Sequence, residues 1–449
     1  MGILAYLSAY FITGGNAILL TALIVIDEFF HEKRSWPYLA GIIAVAVSAP
    51  YLAYLFLYIT PLKMAYLSLT PFDLPELNKS YRIAWAAIPF IYALWRGAGV
   101  KWSTTRGAPT KKPAIWIAFS LVLIFALTLY GLKSATDAKA EYVMQMAYEV
   151  ERGNWDKVLE MSKNDKMQNT ALVPFFTNIA LSEKGLLAAE MFNYRQTGTY
   201  GLFNVWKVHY TTLLYIGEQY YRLGMTQEAE HLAYEAMIGS PTEYGSKALR
   251  SLVYTTMLRR DTPGFEKYIR KFEQSPTYRH WAKEQRKHYA RYRADSTYII
   301  PGAARSLQAA DIGFIDHGLP QQNMRFILQT NKGDKKAFEY LIMFSLLQKD
   351  LTSFYALFER YYPEMNYEHL PRHIEEALLV YAAATNQQSE FVKKYAISSR
   401  TVRQFINYEQ ESASSNLAAL KTKYGNTYFY YLRNIKPMAL DMMQTMPVY

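Results

Sequence analysis

Apolar and polar positions split the chain into two regimes. From Leu4 to Ile26, 23 residues pass without a charge, and at about 1.5 Å per residue a helix of that length exceeds the ~30 Å hydrocarbon core of a bilayer. A cleaved signal peptide fits this run poorly, because no Lys or Arg precedes it and it is longer than the apolar region of about 7–15 residues usual there. A second uncharged run from Trp36 to Leu62 carries Pro50 near its middle, which predicts a kink, and Trp36 and Tyr38 as interfacial anchors. A third stretch, 83–95, has only 13 residues between Arg82 and Arg96. At roughly 20 Å of helix it either crosses with both arginines reaching for the interface or re-enters on one side. The fourth, Ala114 to Leu132, is 19 uncharged residues with Trp116 and Tyr130 near its ends. Residues 1–132 therefore read as a multi-span membrane region, with spans at about 4–26, 36–62 and 114–132 and the ambiguous 83–95.

From about Ala138 the pattern changes to apolar positions three and four apart, interrupted by short polar breaks and with no sustained alternation, which predicts an all-α domain over 133–449. The breaks recur at Gly153-Asn154, Gly185, Gly224, Asp261-Thr262-Pro263-Gly264, Lys349-Asp350 and Asn386. In residues 210–243, Leu213, Ile216, Gly217, Tyr220, Gly224, Ala229, Ala233, Ala236 and Pro241 fall at the spacing of the tetratricopeptide repeat. That unit resembles the repeat closely, apart from Leu213 where Trp is preferred and Thr226 where an aromatic is. Ser240-Pro241-Thr242-Glu243-Tyr244 is echoed by Ser275-Pro276-Thr277-Tyr278, and Gly153 to Leu159 resembles the turn and second-helix start. Segments 334–362 and 371–396 read as further helix pairs, and 298–333 as an irregular insertion. The predicted fold is all-α: a short multi-span helical region followed by a tetratricopeptide-like α-solenoid.

Charge places the two regimes. The chain carries 49 Lys and Arg against 38 Asp and Glu, a net charge of +11, and residues 1–132 hold 10 basic and 5 acidic residues of these, so nearly half the excess borders the apolar spans. Arg96, Lys101, Arg106, Lys111 and Lys112 mark the loop before the fourth run as cytoplasmic. The last span then delivers the helical domain to the opposite side. The expected location is a bacterial inner membrane with a periplasmic C-terminal domain. With no cysteine, disulfide scaffolds, thiolate zinc sites and cysteine nucleophiles are excluded.

Candidate chemistry is sparse. His369 and His373 have helical ligand spacing before Glu375 and Glu376, but Pro371 between them starts a new helix, so a capping and surface role is expected rather than a metal. Between Arg279 and Arg293 a helical wheel puts Trp281, Gln285, His288, Tyr289 and Tyr292 on one face and Arg279, Lys283, Arg286, Lys287 and Arg293 on the other. The aromatics then belong to the core, and the basic stripe is either solvated or a contact for an anionic partner. Gly97-Ala98-Gly99 and Gly245-Ser246-Lys247 are only fragments of phosphate-loop patterns. Asp27, Glu28, Asp73 and Glu76 are the sole carboxylates placed for chemistry at a membrane surface, and they read as ordinary interfacial residues.

The layout, with Tyr10-Phe11-Ile12-Thr13-Gly14-Gly15 opening the first span, resembles an integral membrane family of Bacteroidota. The resemblance implies further membrane segments upstream and carries no activity, catalytic residue or cofactor with it. Stacked hairpins without a catalytic motif predict a non-enzymatic, membrane-anchored scaffold that binds a protein or peptide partner in the envelope, with the bilayer as its other partner and no nucleic acid. The alternatives are an envelope enzyme or transport component working in the membrane region, or an anionic lipid or glycan binder using the basic stripe.

Overall fold

A computed structural model describes residues 2–31, 35–59, 61–70, 72, 79–103, 122, 138–164, 170, 172–204, 210–240, 245–295, 297–301, 319–413 and 416–436. Among the described residues every regular element is helical and there is no strand. The predicted span 114–132, apart from Val122, and Asp73, Glu76, Arg106, Lys111, Lys112 and Pro241 lie outside them.

The apolar region forms α1 (Gly2–Thr13), a 3₁₀ turn at Gly14–Asn16, α2 (Ala17–Phe29), α3 (Trp36–Phe56), α4 (Leu62–Leu67) and α5 (Lys79–Ser103). Among the described residues two stretches are long and apolar enough to cross a membrane, Tyr6–Phe29 and Trp36–Phe56. Many of their large side chains face outward, as Phe11 does at 74% exposure, while Tyr6, Tyr10, Leu39 and Ile42 are buried. The second run stops as a helix at Phe56, not at Leu62. The amides of Leu57 and Tyr58 both fold back to the Ala53 carbonyl, at 2.8 and 2.9 Å, and Pro61, with its extended backbone, starts α4. Pro50 is accommodated inside α3. The ambiguous 83–95 stretch lies within an unbroken helix, α5, which extends past Arg82 and Arg96.

The amphipathic region forms α6 (Ala138–Arg152), α7 (Trp155–Met161), α8 (Leu172–Glu183), α9 (Leu187–Glu190), α10 (Tyr210–Arg222), α11 (Thr226–Gly239), α12 (Ser246–Leu258), α13 (Thr262–Gln274) and α14 (Arg279–Ala294). It continues as α15 (Pro320–Thr330), α16 (Lys335–Leu347), α17 (Leu351–Tyr361), α18 (Arg372–Ala384), α19 (Gln388–Lys394), α20 (Ser399–Ser412), α21 (Leu417–Tyr424) and α22 (Tyr428–Asn434). This is a series of helical hairpins of the kind a solenoid stacks.

One turn geometry recurs through the series. Residues 153, 185, 224, 260, 349 and 386 all have left-handed backbones, and the first four are 32, 39 and 36 residues apart. At each, the next residue's amide reaches the carbonyl five positions back: Asn154 to Glu149 at 3.0 Å, Leu186 to Leu181 at 2.8 Å, Met225 to Tyr220 at 2.9 Å. Asp261 to Thr256, Asp350 to Ser345 and Gln387 to Ala382 repeat the bond. Each first helix is thus closed by the same left-handed cap, which satisfies its last carbonyls and reverses the chain. Gly217 supplies the close approach inside the clearest unit, since a Cβ there would stand 3.4 Å from Leu232 Cβ.

By internal packing the chain forms two compact units, residues 1–135 with 233–298, and residues 136–232 with 299–449. In the second, packing is not confined to chain neighbours. Short α9 packs on α16 and α18 as well as on α8. The irregular chain after it buries Phe192 against Tyr428 and Tyr431, and Phe203 against Tyr340 and Phe344. Residues 187–203 are therefore packed against α16, α18 and α22.

Candidate functional site

Within the apolar region the first span is broken where its sequence is smallest. Gly14 takes a left-handed backbone at φ +59, and a Cβ on Gly15 would stand 2.1 Å from the Tyr66 carbonyl. Only glycine lets the backbone at 66–70 come this close. The Gly15 amide donates to Ser68 O at 2.9 Å, Asn16 Nδ2 to Leu69 O at 2.7 Å and the Tyr10 hydroxyl to Ala65 O at 2.8 Å. These bonds pair the Gly15 amide and the carbonyls of Ala65, Ser68 and Leu69 inside the protein.

Two side-chain pairs then tie α2 to α5. Trp85 Nε1 donates to Asn16 Oδ1 at 2.8 Å, and Arg96 Nε donates to Asp27 Oδ1 at 2.6 Å, with the Tyr92 hydroxyl on the same oxygen at 3.1 Å. The separations are equal, 85 − 16 = 69 and 96 − 27 = 69, so the two helices run parallel in one register. Asp27 is engaged as a clamp, and Glu28 accepts the Ser35 amide at 2.8 Å.

The predicted basic stripe lies on α14, and its members have different fates. Arg286 is half-buried between two carboxylates of α13, contacting Glu273 at 2.5 Å and Glu266 at 2.6 Å. That pairing holds both carboxyls below their ordinary range and raises the guanidinium's own pKa. Lys287 pairs with Glu284 at 2.7 Å, and Arg293 lies over the Tyr289 ring. Arg279 and Lys283 are exposed, with Arg279 Nε donating to the Glu273 carbonyl at 3.2 Å. The aromatics do face inward, with Trp281 edge-on to Phe272 at 4.8 Å and Tyr289 against Phe265 at 4.3 Å.

The histidine cluster is not a surface cap. His369 is exposed, but His373 and Glu376 have 0% exposure. The Phe192 amide donates to His373 Nε2 at 3.1 Å, so the ring proton sits on Nδ1 and points at Glu376 Oε2, 2.9 Å away. Glu376 also accepts Arg372 Nε at 2.8 Å and the Tyr428 amide at 2.7 Å. The network staples the α9 segment and α22 onto α18. Sequence reading missed a companion, Glu339, which accepts the Tyr367 hydroxyl at 2.8 Å and the Ala188 amide at 3.3 Å. Burial pushes its carboxyl pKa up. Among the described residues no cluster of three or more acidic or histidine side chains is arranged to hold a metal. Gly97-Ala98-Gly99 lies within α5, and Gly245 precedes α12 without a side-chain cap.

The sequence model of one family covers residues 1–434, described as a family of unknown function, DUF6057. The chain belongs to that family. No curated protein and no solved structure matches it. The DUF6057 match takes in the apolar helices and the hairpins alike, so both regimes are part of what the family shares.

One further surface in this DUF6057 chain combines exposure with interface chemistry. On α6, Met144 and Tyr148 are exposed at 50% and 52%, one turn apart, and Arg152 follows a turn later with its guanidinium 5.3 Å from the Tyr148 ring centre. Val143, Met146, Ala147 and Val150 occupy the buried face. Nothing in apolar periodicity marks such a stripe, because an exposed Met or Tyr breaks no pattern.

Proposed function

We propose that the protein is a non-enzymatic scaffold, anchored by membrane spans, whose helical hairpins hold a protein partner on the extracytoplasmic side of a bacterial inner membrane. The observation that carries the reading is the Met144–Tyr148–Arg152 stripe, because Met, aromatic residues and Arg are the types enriched at the buried centres of protein interfaces. The surfaces of α16 and α18 that residues 187–203 cover are not open to a partner, so the partner sits on exposed faces such as that of α6. Four buried ionisable groups of the helical unit support a scaffold too, since His373, Glu376, Glu339 and Glu375 are each engaged in bonds between segments.

Three observations support this sidedness. Parallel α2 and α5 put Phe29 and Arg96 on one side, and the sequence next to these two residues carries Lys33, Arg34, Lys101, Arg106, Lys111 and Lys112. The segment 62–82, which holds α4 and the start of α5, has only Lys63, Lys79 and Arg82, which favours the first side as cytoplasmic. Ser275 Oγ donates to the Leu57 carbonyl at 2.8 Å, which joins the α13–α14 turn to the opposite end of α3. The likeness in layout to a Bacteroidota membrane family agrees with this setting.

The test is a photocrosslinking amino acid at Met144 of the full-length chain in its native membrane. The expected result is one adduct of defined mass with an envelope protein, lost in Tyr148→Ala at unchanged protein level. No adduct, together with a deletion phenotype from Asp27→Ala or Glu28→Ala, would move the function into the membrane helices.

A further inference from the structure

The charge of this protein is concentrated in one short piece of it. Residues 259–293 hold 11 basic and 4 acidic residues, 11 − 4 = +7 of the chain's +11. That piece is the α13–α14 hairpin with the end of α12. Its turn is fixed to the apolar helices of its own compact unit, through the buried Ser275 hydroxyl on the Leu57 carbonyl at 2.8 Å. Leu57 is the residue that follows α3, directly after the exposed Phe56. The tip of the most basic hairpin is therefore held where α3 leaves the hydrocarbon.

We propose that this tip rests on the bilayer surface and binds phosphate-bearing lipid headgroups through Arg279 and Lys283. The inference rests on the reading that α3 spans a membrane. Along α14, Arg279 and Lys283 stand about 6 and 12 Å from Ser275. Flexible side chains of that length reach a headgroup layer that adds roughly 5–8 Å to each face of the hydrocarbon core. Arg286 and Lys287 are neutralised by Glu266, Glu273 and Glu284, whereas Arg279 and Lys283 are exposed and make no side-chain ion pair among the described contacts. Pro276 and Thr277 at the tip are exposed as well. Lys267 and Arg270, in a shallow groove along α13, add to the positive field that draws in an anionic surface.

The chain has no cysteine, so a single introduced one carries a label unambiguously. Full-length protein with a fluorophore on Thr277→Cys is reconstituted into phosphatidylcholine vesicles with or without phosphatidylglycerol, each doped with headgroup-nitroxide lipid. Quenching should rise by about twofold or more with the anionic lipid and fall back at about 1 M salt, where the screening length is ~3 Å. It should also fall in Arg279→Glu/Lys283→Glu. Quenching at Thr277 no stronger than at Asp295→Cys, about 24 Å further along α14, would overturn the inference. So would quenching indifferent to lipid charge and to the charge reversal. A label on Val47→Cys, exposed in mid-α3, separates the premise: quenching there by an acyl-chain nitroxide with a silent Thr277 refutes the headgroup contact alone, and no quenching there refutes the span as well.

Discussion

The six left-handed turn positions show how single residues set the hairpins. Gly153, Gly185 and Gly224 take that backbone freely, while Arg260 and Lys349 take it against a steric cost of about 1–2 kcal/mol for a residue with a Cβ. Lys349 repays it by donating to the carbonyls of Leu432 and Ile435 at 2.6 and 2.7 Å, which ties the end of α22 to the α16–α17 turn. Gly224→Ala should therefore destabilise the protein by about 1 kcal/mol, and Arg260→Gly should leave it unchanged or slightly more stable, as read by denaturant unfolding in detergent. Glu339 gives a pH dependence. Burial raises its carboxyl pKa, so between the ordinary value of 4.5 and that raised value the folded state binds more protons than the unfolded, and stability falls as pH rises through the window. Glu339→Gln should flatten that fall, and an unchanged slope in a pH series of melts would assign it to another group.

At the level of elements, what was legible depended on how local its cause is. The hairpin turns were readable from Gly153, Gly185, Gly224, Lys349 and Asn386 because a left-handed cap is decided by a few adjacent residues. The end of α3 at Phe56 and the return of α4 onto Gly15 were not, because an uncharged run looks alike whether it continues as helix or folds back. The helical wheel puts Arg286 on the basic face, but its pairing is decided by Glu266 and Glu273 of the neighbouring helix, which a wheel of one helix does not contain. The docking of 187–203 onto α16, α18 and α22 spans some 150 residues of chain and leaves no local trace beyond an unusually apolar loop. The α2–α5 pairing predicts a coupling that a double-mutant cycle measures. Asn16→Leu removes the partner of both Trp85 and Leu69 and should cost on the order of 0.6–1.7 kcal/mol, and Trp85→Phe should add little on top of it. Full additivity of the two would mean that the helices are held by packing alone.

For the whole molecule, family membership covers residues 1–434, and the family is described as one of unknown function, so the proposed function rests on surfaces and on sidedness. The candidate site was least legible at this scale. The basic stripe was visible in the sequence, but that its tip is joined to Leu57 and that α6 offers Met144, Tyr148 and Arg152 depend on tertiary placement. The central proposal is that apolar helices of the first region carry the helical domain across a membrane. Single cysteines in the otherwise cysteine-free chain test it most directly, at exposed His31 between α2 and α3 and at exposed Glu390 in α19, probed in intact spheroplasts with a membrane-impermeant maleimide. The account predicts that position 390 is labelled at once and position 31 only after permeabilisation. Labelling of position 31 in intact spheroplasts, with position 390 protected, would contradict it.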